Sequence, residues 1–218
     1  MSWLFHKVDL IAPTPEWVTA KFFKSKIAEI RQHGWEVVPL SHYTGGDNQL
    51  VITFDGVYEN VYLYAFPILK ELNYPFELFV TGKYIGGDNK FDWPETFAKF
   101  ASKDQLAEMA KSGGIIEYHS WSHSDLTKLN VVDIEAEIRS PFAAKFFAYP
   151  YGRYNQKVKE VVQKYYQGAV SVDYGDNSKY ELIRQPIWEK SASLFLVTIM
   201  GRIWRKLLRA FWLKPANQ

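Results

Sequence analysis

The chain has 218 residues, a formal net charge of +2 and no cysteine. The lack of cysteine excludes disulfide frameworks, thiolate nucleophiles and thiolate-bound metals. The charge is too small to indicate nucleic-acid binding by the molecule as a whole. With 47% hydrophobic and 23% charged residues, the composition is that of one globular domain with a sizeable core. Aromatic residues reach 17%, and flat rings can line a sugar-binding cleft, although most of them fill a core.

The first residues, Met1 to Lys7, contain neither a basic n-region nor a long apolar h-region, so they predict no signal peptide. No apolar run approaches the roughly 20 residues that span a bilayer. Together with the lack of cysteine, these features predict a cytoplasmic protein.

Short apolar runs alternate along the chain with amphipathic segments of helical length. The strand-like runs are residues 35–40, 50–54, 76–80, 114–118, 146–149 and 168–172, and the predicted helices are 18–33, 61–72, 102–112, 133–139 and 155–165. Strands separated by helices indicate βαβ units and a parallel sheet. Residues 1–190 are predicted to form a single domain, because no repeat or linker divides them.

Residues that carry chemistry follow three of these strands. Asp55 comes after the second strand, His119 and His123 after the fourth, and Tyr149-Pro150-Tyr151 after the fifth. In parallel barrels and open α/β sheets the carboxyl ends of the strands meet at one rim, so these residues are expected to converge there. Two histidines four residues apart can face the same way and bind one metal ion.

Three segments resemble, in order, the motifs of the polysaccharide deacetylases, the NodB-like carbohydrate esterases. They are Thr53-Phe54-Asp55-Gly56, His119-Ser120-Trp121-Ser122-His123 and Phe147-Ala148-Tyr149-Pro150-Tyr151-Gly152. The resemblance covers roughly residues 35–190. It implies an α/β fold, a distorted (β/α) barrel with about seven parallel strands.

The same resemblance implies a metal-dependent hydrolase that removes the acetyl group from an N-acetylated sugar. The expected substrate is a bacterial surface glycan of the O-antigen or lipopolysaccharide type, including lipid-linked forms. Two alternatives stay open. The chain could be a catalytically impaired protein that binds glycan or a protein partner through the same cleft, or it could perform a different chemistry on the same scaffold.

The family's motifs assign roles to residues of this chain. His119 and His123 would hold a divalent ion (Zn, Co or Ni), and the Tyr151 amide would contact the oxyanion. Asp55 would act as the base or, alternatively, replace the missing metal ligand. Tyr149 and Pro150 would line the wall of the site. Trp93 is a candidate stacking platform for sugar, with an incidental surface tryptophan as the alternative. His6, His33 and His42 have no partner spacing and are predicted to be structural or exposed.

The chain departs from the family pattern at three places. The family's first motif reads Thr-Phe-Asp-Asp-Gly, and an ungapped alignment puts Gly56 at the position of the metal-binding Asp. Two imidazoles without a carboxylate predict a metal site that is weak or absent. The third motif lacks the Arg that orients the base in many relatives. No His follows Arg184, so the family's late proton donor has no counterpart there.

Residues 191–218 are predicted to form a basic amphipathic helix. Arg202, Arg205, Lys206 and Arg209 share one helical face, and apolar residues with Trp204 occupy the other. This pattern is typical of a membrane-surface anchor and favours a location at the inner membrane face. The alternative is a helix that packs on its own barrel or on a partner subunit, so an oligomer also stays open.

Overall fold

Seven parallel strands close into a barrel in the computed structural model, which describes residues 1–172 and 175–190. Within this part of the chain the strands are β1 (Ser2–Phe5), β2 (Lys7–Asp9), β3 (Trp17–Thr19), β4 (Glu36–Val37), β5 (Gln49–Gly56), β6 (Phe76–Val80), β7 (Gly114–Tyr118), β8 (Phe146–Ala148), β9 (Gly168–Val172) and β10 (Leu182–Pro186). The ring runs β1-β5-β6-β7-β8-β9-β10 and returns to β1. β4 extends the sheet beyond β5, and β2 pairs with β3 separately. The predicted fold class is confirmed.

β1 closes the barrel because it pairs with β5 on one side and β10 on the other. Leu4 lies opposite Thr53 in the first pairing and opposite Pro186 in the second. The sequence did not predict these two closing strands. All four residues of β1 are buried, so its pattern does not alternate, and β10 contains Arg, Gln and Pro, which are not typical of a strand.

Among the described residues, five α-helices cover the barrel, and each follows a strand or a rim loop. They are α1 (Ala20–Gln32), α2 (Phe66–Glu71), α3 (Lys103–Ala110), α4 (Val131–Ile138) and α5 (Gln156–Tyr165). A capping box formed by Ser102 and Gln105 begins α3. The predicted helix 61–72 begins instead as a π-helical turn over Val61–Ala65. No helix among the described residues is long and apolar enough to cross a membrane.

Alternate residues along each strand separate an outer core from the barrel interior. On β5, Ile52 and Phe54 pack outward with Phe23 of α1, whereas Val51 packs inward with Phe79. Since side chains alternate across a strand, Thr53 and Asp55 share the inward face with Val51. Asp55 therefore enters the barrel at the rim where β5 ends.

Two buried glutamates lie on neighbouring strands inside the barrel. Glu77 on β6 accepts a hydrogen bond from the Leu40 amide at 2.7 Å, and Glu117 on β7 accepts from Lys145 and Phe146 at 2.7 and 2.6 Å. Each is 1% exposed. Burial raises the pKa of Glu77 to about 8 and that of Glu117 to about 7, because a charged carboxylate is poorly solvated there. At pH 7 Glu77 is thus favoured in the neutral form, whereas Glu117 is close to half protonated.

Replacing Glu77 by Gln is expected to flatten the dependence of stability on pH. The folded-state pKa is raised, so the stability that neutral Glu77 contributes is fully present below the unfolded pKa. That stability is lost as pH rises through the folded pKa of about 8, at up to roughly 1.4 kcal/mol per pH unit. Urea unfolding at pH values below and above this pKa should show a smaller fall in the free energy of unfolding for Glu77→Gln than for the wild type. The exposed Glu71→Gln on α2 is the matched control, and equal slopes in all three proteins would contradict the assignment.

Candidate active site

The three sequence motifs meet in one cleft at the carboxyl ends of the barrel strands. The cleft has a volume of about 320 Å³, and its polar lining includes His6, Glu16, Asp55, Asp92, His119, His123, Tyr149, Tyr151 and Arg184. The predicted convergence of Asp55, both motif histidines and Tyr151 is therefore observed. His6, Glu16 and Asp92 belong to the same cleft, although the sequence did not indicate them.

The backbone of the motif loops is strained. Val57, Ser120, His123 and Tyr151 have φ of 56°, 66°, 60° and 58°, in the left-handed region that non-glycine residues rarely adopt. Such conformations cost about 1–3 kcal/mol each and concentrate at functional sites. In the ungapped alignment the β-branched Val57 occupies the glycine position of the family's first motif. Gly56 before it is left-handed as well, with φ of 81°, so the backbone would suit a glycine at either position.

Asp55 is fixed by a bidentate ion pair with Arg184 of β10. The two guanidinium Nη atoms donate to its two carboxylate oxygens, each at 2.6 Å, and Nη1 also donates to Thr53 Oγ1 at 3.2 Å. Burial alone would raise the pKa of Asp55, but Arg184 and, more weakly, His119 lower it to about 2. Asp55 is therefore ionised near neutral pH. The orienting Arg that the third motif lacks is supplied by β10, a strand that the sequence did not predict.

His119 and His123 lie side by side. His119 Nδ1 is 2.8 Å from the Ala148 carbonyl, and the two Nε2 atoms are 3.1 Å apart. Because a carbonyl only accepts, Nδ1 of His119 carries the proton, which leaves a lone pair on its Nε2 in the neutral ring. We therefore assign the proton between the rings to His123 Nε2, which donates to His119 Nε2. His123 Nδ1 is buried without a partner among the described residues.

Both histidines are neutral in the folded protein. Burial lowers the pKa of His119, although the nearby Asp55 opposes the effect. Burial, with His119 beside it, lowers the pKa of His123 to about 3. Asp55 Oδ2 is 3.8 Å from His119 Nε2, so the carboxylate and the imidazole pair face the same space.

The residues present supply only part of the family's metal site. Within residues 1–172 and 175–190 no group of three His, Cys, Asp or Glu side chains is arranged to hold a metal ion. At the missing ligand position, Gly56 has φ +81°, and a Cβ added there would lie 2.8 Å from Tyr58 Cε2. Tyr58 is stacked on Phe100 with ring centroids 4.4 Å apart, and both are buried. An aromatic pair thus blocks the direction of a third ligand, and the donor set does not fit a three-ligand site.

His6 stands at the end of β1 and next to Asp55. The pairing of Phe5 with Phe54 places the following residues, His6 and Asp55, at the same level of neighbouring strands. The His6 side chain makes no hydrogen bond within the described part of the chain, and burial lowers its pKa. The interpretation of His6 as structural or exposed missed this position, because recognising it requires the prediction of β1.

The third motif supplies an unpaired backbone donor. The Tyr151 amide makes no hydrogen bond to any described residue, and the Tyr151 ring lies 4.5 Å from the ring of His123. Tyr149 is buried and its hydroxyl donates to the Tyr180 carbonyl at 3.1 Å. Pro150 is also buried. Tyr149 and Tyr151 border the cleft, whereas Pro150 shapes the turn between them.

Trp93 lies outside the cleft. Its side chain is 86% exposed, and it is absent from the cleft lining, although Phe91 and Asp92 of the same loop take part in it. The predicted basic helix of residues 191–218 falls outside the described residues.

Comparisons with known proteins agree on one family. The family model described as polysaccharide deacetylase matches residues 42–169. The Bacillus subtilis protein YxkH is 29% identical over 142 residues, which cover 60% of this chain and 47% of YxkH. The chain thus spans about half the length of that curated relative.

Two solved structures share the fold. The Streptococcus pyogenes deacetylase PplD, solved in complex with acetate, has a TM-score of 0.77 and 18% identity, covering 91% of this chain and 96% of that chain. A polysaccharide deacetylase from Bacillus cereus, BC0361, has a TM-score of 0.75 and 18% identity, with 91% and 68% covered.

Replacing Arg184 by Met is expected to lower the free energy of unfolding by about 3–5 kcal/mol, because it leaves the Asp55 carboxylate buried without a partner. Adding Asp55→Asn to the same chain should recover part of the loss. The matched control is Arg153→Met, which removes a partly exposed ion pair with Asp125 and should cost about 1 kcal/mol or less. Denaturant unfolding measures these three variants, the single variant Asp55→Asn and the wild type; strict additivity of the two site substitutions would contradict the coupling.

Proposed function

This chain belongs to the polysaccharide deacetylase family, and on that basis we propose that it hydrolyses the N-acetyl group of an amino sugar in a bacterial surface glycan of the O-antigen or lipopolysaccharide type. The observation that carries the proposal is the cluster at the rim: an ionised Asp55, an unpaired Tyr151 amide and the His6 imidazole in one cleft. These groups correspond to a base, an oxyanion donor and a proton donor. The donor set does not fit a three-ligand metal site, so the steps below use only protein groups.

Asp55 is the group that activates water. Arg184 holds the carboxylate in place and keeps it ionised, and each carboxylate oxygen retains a further lone pair for water. Attack of the water oxygen on the acetyl carbon transfers one water proton to Asp55. The carbonyl oxygen becomes negative, and the Tyr151 amide can donate to it, because no described residue uses that donor.

His6 is the group that protonates the leaving nitrogen. The C–N bond breaks as the amine takes a proton, which yields acetate and a free amino sugar. Since burial lowers the pKa of His6, its acid form declines as pH rises, and it does so below the usual range for histidine. We expect amide hydrolysis to decline over the same interval.

The test compares an amide with an activated ester. His6→Gln should reduce deacetylation of N-acetylglucosamine oligosaccharides by roughly 10²–10⁴-fold, while 4-nitrophenyl acetate, whose leaving group needs no proton, should lose far less. Asp55→Asn should impair both reactions. The exposed His33→Gln is the matched control. Equal loss on both substrates in His6→Gln would reject His6 as the proton donor.

A glycan-binding protein without activity is the second candidate, and the closed third-ligand position at Gly56 favours it. Oligosaccharide binding by a wild type that releases no acetate would establish that alternative. The divalent ion (Zn, Co or Ni) expected from the family is tested in the same assay by chelation and by restoring each ion. Activity that survives chelation would support the protein-only steps. Activity that needs an added ion would overturn them.

A substrate contact is also proposed for Trp93. An exposed indole beside a cleft can stack on a sugar ring, so we propose that Trp93 contacts a sugar outside the reacting unit.

We also propose that the protein works at the inner membrane face on a lipid-linked glycan, with residues 191–214 as a basic amphipathic contact. Sedimentation with vesicles rich in anionic lipid should carry down the full chain and leave a chain ending at residue 190 in the supernatant. Neutral vesicles are the control, because the basic residues should not attract the chain to them. Equal sedimentation of both chains would reject the membrane contact.

A further inference from the structure

Two loops at the rim of the barrel form part of the cleft wall. The loop of residues 10–16 joins β2 to β3, and the loop of residues 81–102 joins β6 to α3. Each loop contributes an apolar and an acidic residue to the cleft lining: Pro15 and Glu16 from the first, Phe91 and Asp92 from the second. The shape of this wall therefore depends on how the two loops are held against each other.

Glu95 of the second loop is the residue through which the two loops are joined. Its Oε1 accepts hydrogen bonds from Thr14 Oγ1 at 3.0 Å and from Trp17 Nε1 at 2.8 Å. The same oxygen lies 3.5 Å from Lys7 Nζ, and Lys7 also pairs with Glu16 at 2.9 Å. The Lys7 side chain is fully buried, so solvent screens its ion pairs little. We call these five residues the Lys7 cluster.

The second loop is also braced internally. The buried Asn89 side chain accepts a hydrogen bond from the Ala98 amide at 2.7 Å and donates to the Thr96 carbonyl at 2.9 Å. Phe91 stacks on Tyr84 with ring centroids 4.0 Å apart. Because the loop is held together in this way, the Lys7 cluster sets the position of its cleft-lining residues relative to the first loop.

The wall formed by the two loops borders the reacting centre but takes no part in the proposed steps. The ring of Phe91 lies 6.0 Å from the ring of His123. Attack on the acetyl group and protonation of the amine use Asp55, Tyr151 and His6 instead. Aromatic rings can stack on sugar faces, and carboxylates accept hydrogen bonds from hydroxyl groups. This wall therefore suits the sugar units next to the reacting one.

We propose that Lys7 and Glu95 are positioning residues for a glycan of several sugar units. They hold the two loops together as one wall for the units beside the reacting sugar, and Trp93 belongs to the same second loop. This inference rests on the proposed function, because it requires a glycan in the cleft. The acetyl group itself needs only the groups at the strand ends. Loss of the Lys7 cluster should therefore affect a chain of sugars more than a single sugar.

The experiment compares an N-acetylglucosamine tetrasaccharide, N-acetylglucosamine and 4-nitrophenyl acetate. Thr14→Val keeps the shape of its side chain and removes one hydrogen bond to Glu95, and Glu95→Gln removes the charge. Each should raise KM for the tetrasaccharide roughly threefold to tenfold. Its kcat should stay the same, because the lost binding is common to the ground state and the transition state. The single sugar and the ester should respond little. Calorimetric titration of the tetrasaccharide measures the same loss without turnover.

Two matched controls remove similar contacts elsewhere. Glu108→Gln on α3 alters a carboxylate that accepts from Tyr62 and pairs with Lys70, and Thr44→Val removes a hydroxyl bonded to Gln49. Both should bind the tetrasaccharide like the wild type. Thr14→Val combined with Glu95→Gln should weaken binding by less than the sum of the two effects, because both break the same link. Denaturant unfolding checks that each variant is folded, and Thr14→Val decides the matter if Glu95→Gln is not.

The outcomes separate this proposal from the proposed hydrolysis. The positioning role is overturned if the folded variants bind the tetrasaccharide as tightly as the wild type. It is also overturned if the single sugar and the ester lose as much as the tetrasaccharide, or if the wild type does not bind the tetrasaccharide. A wild type that binds the tetrasaccharide but releases no acetate would reject hydrolysis alone, and the dissociation constants of the variants would then decide the positioning role.

Discussion

The ion pair between Asp55 and Arg184 determines the charge and the position of the carboxylate at the rim of this barrel. A carboxylate that is 4% exposed would ordinarily take up a proton, because burial disfavours its charge. The two 2.6 Å contacts from the guanidinium reverse that tendency and hold the pKa of Asp55 at about 2. The same contacts link β10 to β5 across the intervening β1. One side chain thus bridges two strands of the closed barrel and sets the ionisation of Asp55.

Much of the site could be predicted from local sequence, but its partners could not. Asp55, His119, His123 and Tyr151 follow strands whose apolar runs are easily recognised, so their convergence follows from the parallel topology. His6 and Arg184 belong to β1 and β10, the closing strands, whose residues do not show a strand pattern. His6 is placed by the pairing of β1 with β5, about 50 residues along the chain. Arg184 is placed by the pairing of β10 with β1, about 180 residues apart. No spacing along the chain encodes either contact.

The residues packed around Gly56 leave no room for the metal-binding Asp that the family has at this position. Gly56 has a left-handed φ, and the space beside its Cα is filled by Tyr58, which stacks on Phe100 and lies under the Lys7 ammonium at 4.5 Å. Tyr84 stacks on Phe100 in turn. A carboxylate restored at residue 56 would meet both backbone strain and a packed aromatic wall. A return to a three-ligand site would therefore need a second change in that wall.

Arg184 also sets the strength of Asp55 as a base. Its two Nη contacts lower the energy of the negative charge at Asp55 and hold the pKa of that carboxyl at about 2. In a low-dielectric interior this interaction is stronger than it would be in water. The contact that keeps Asp55 ionised therefore also makes it a weak acceptor for a proton.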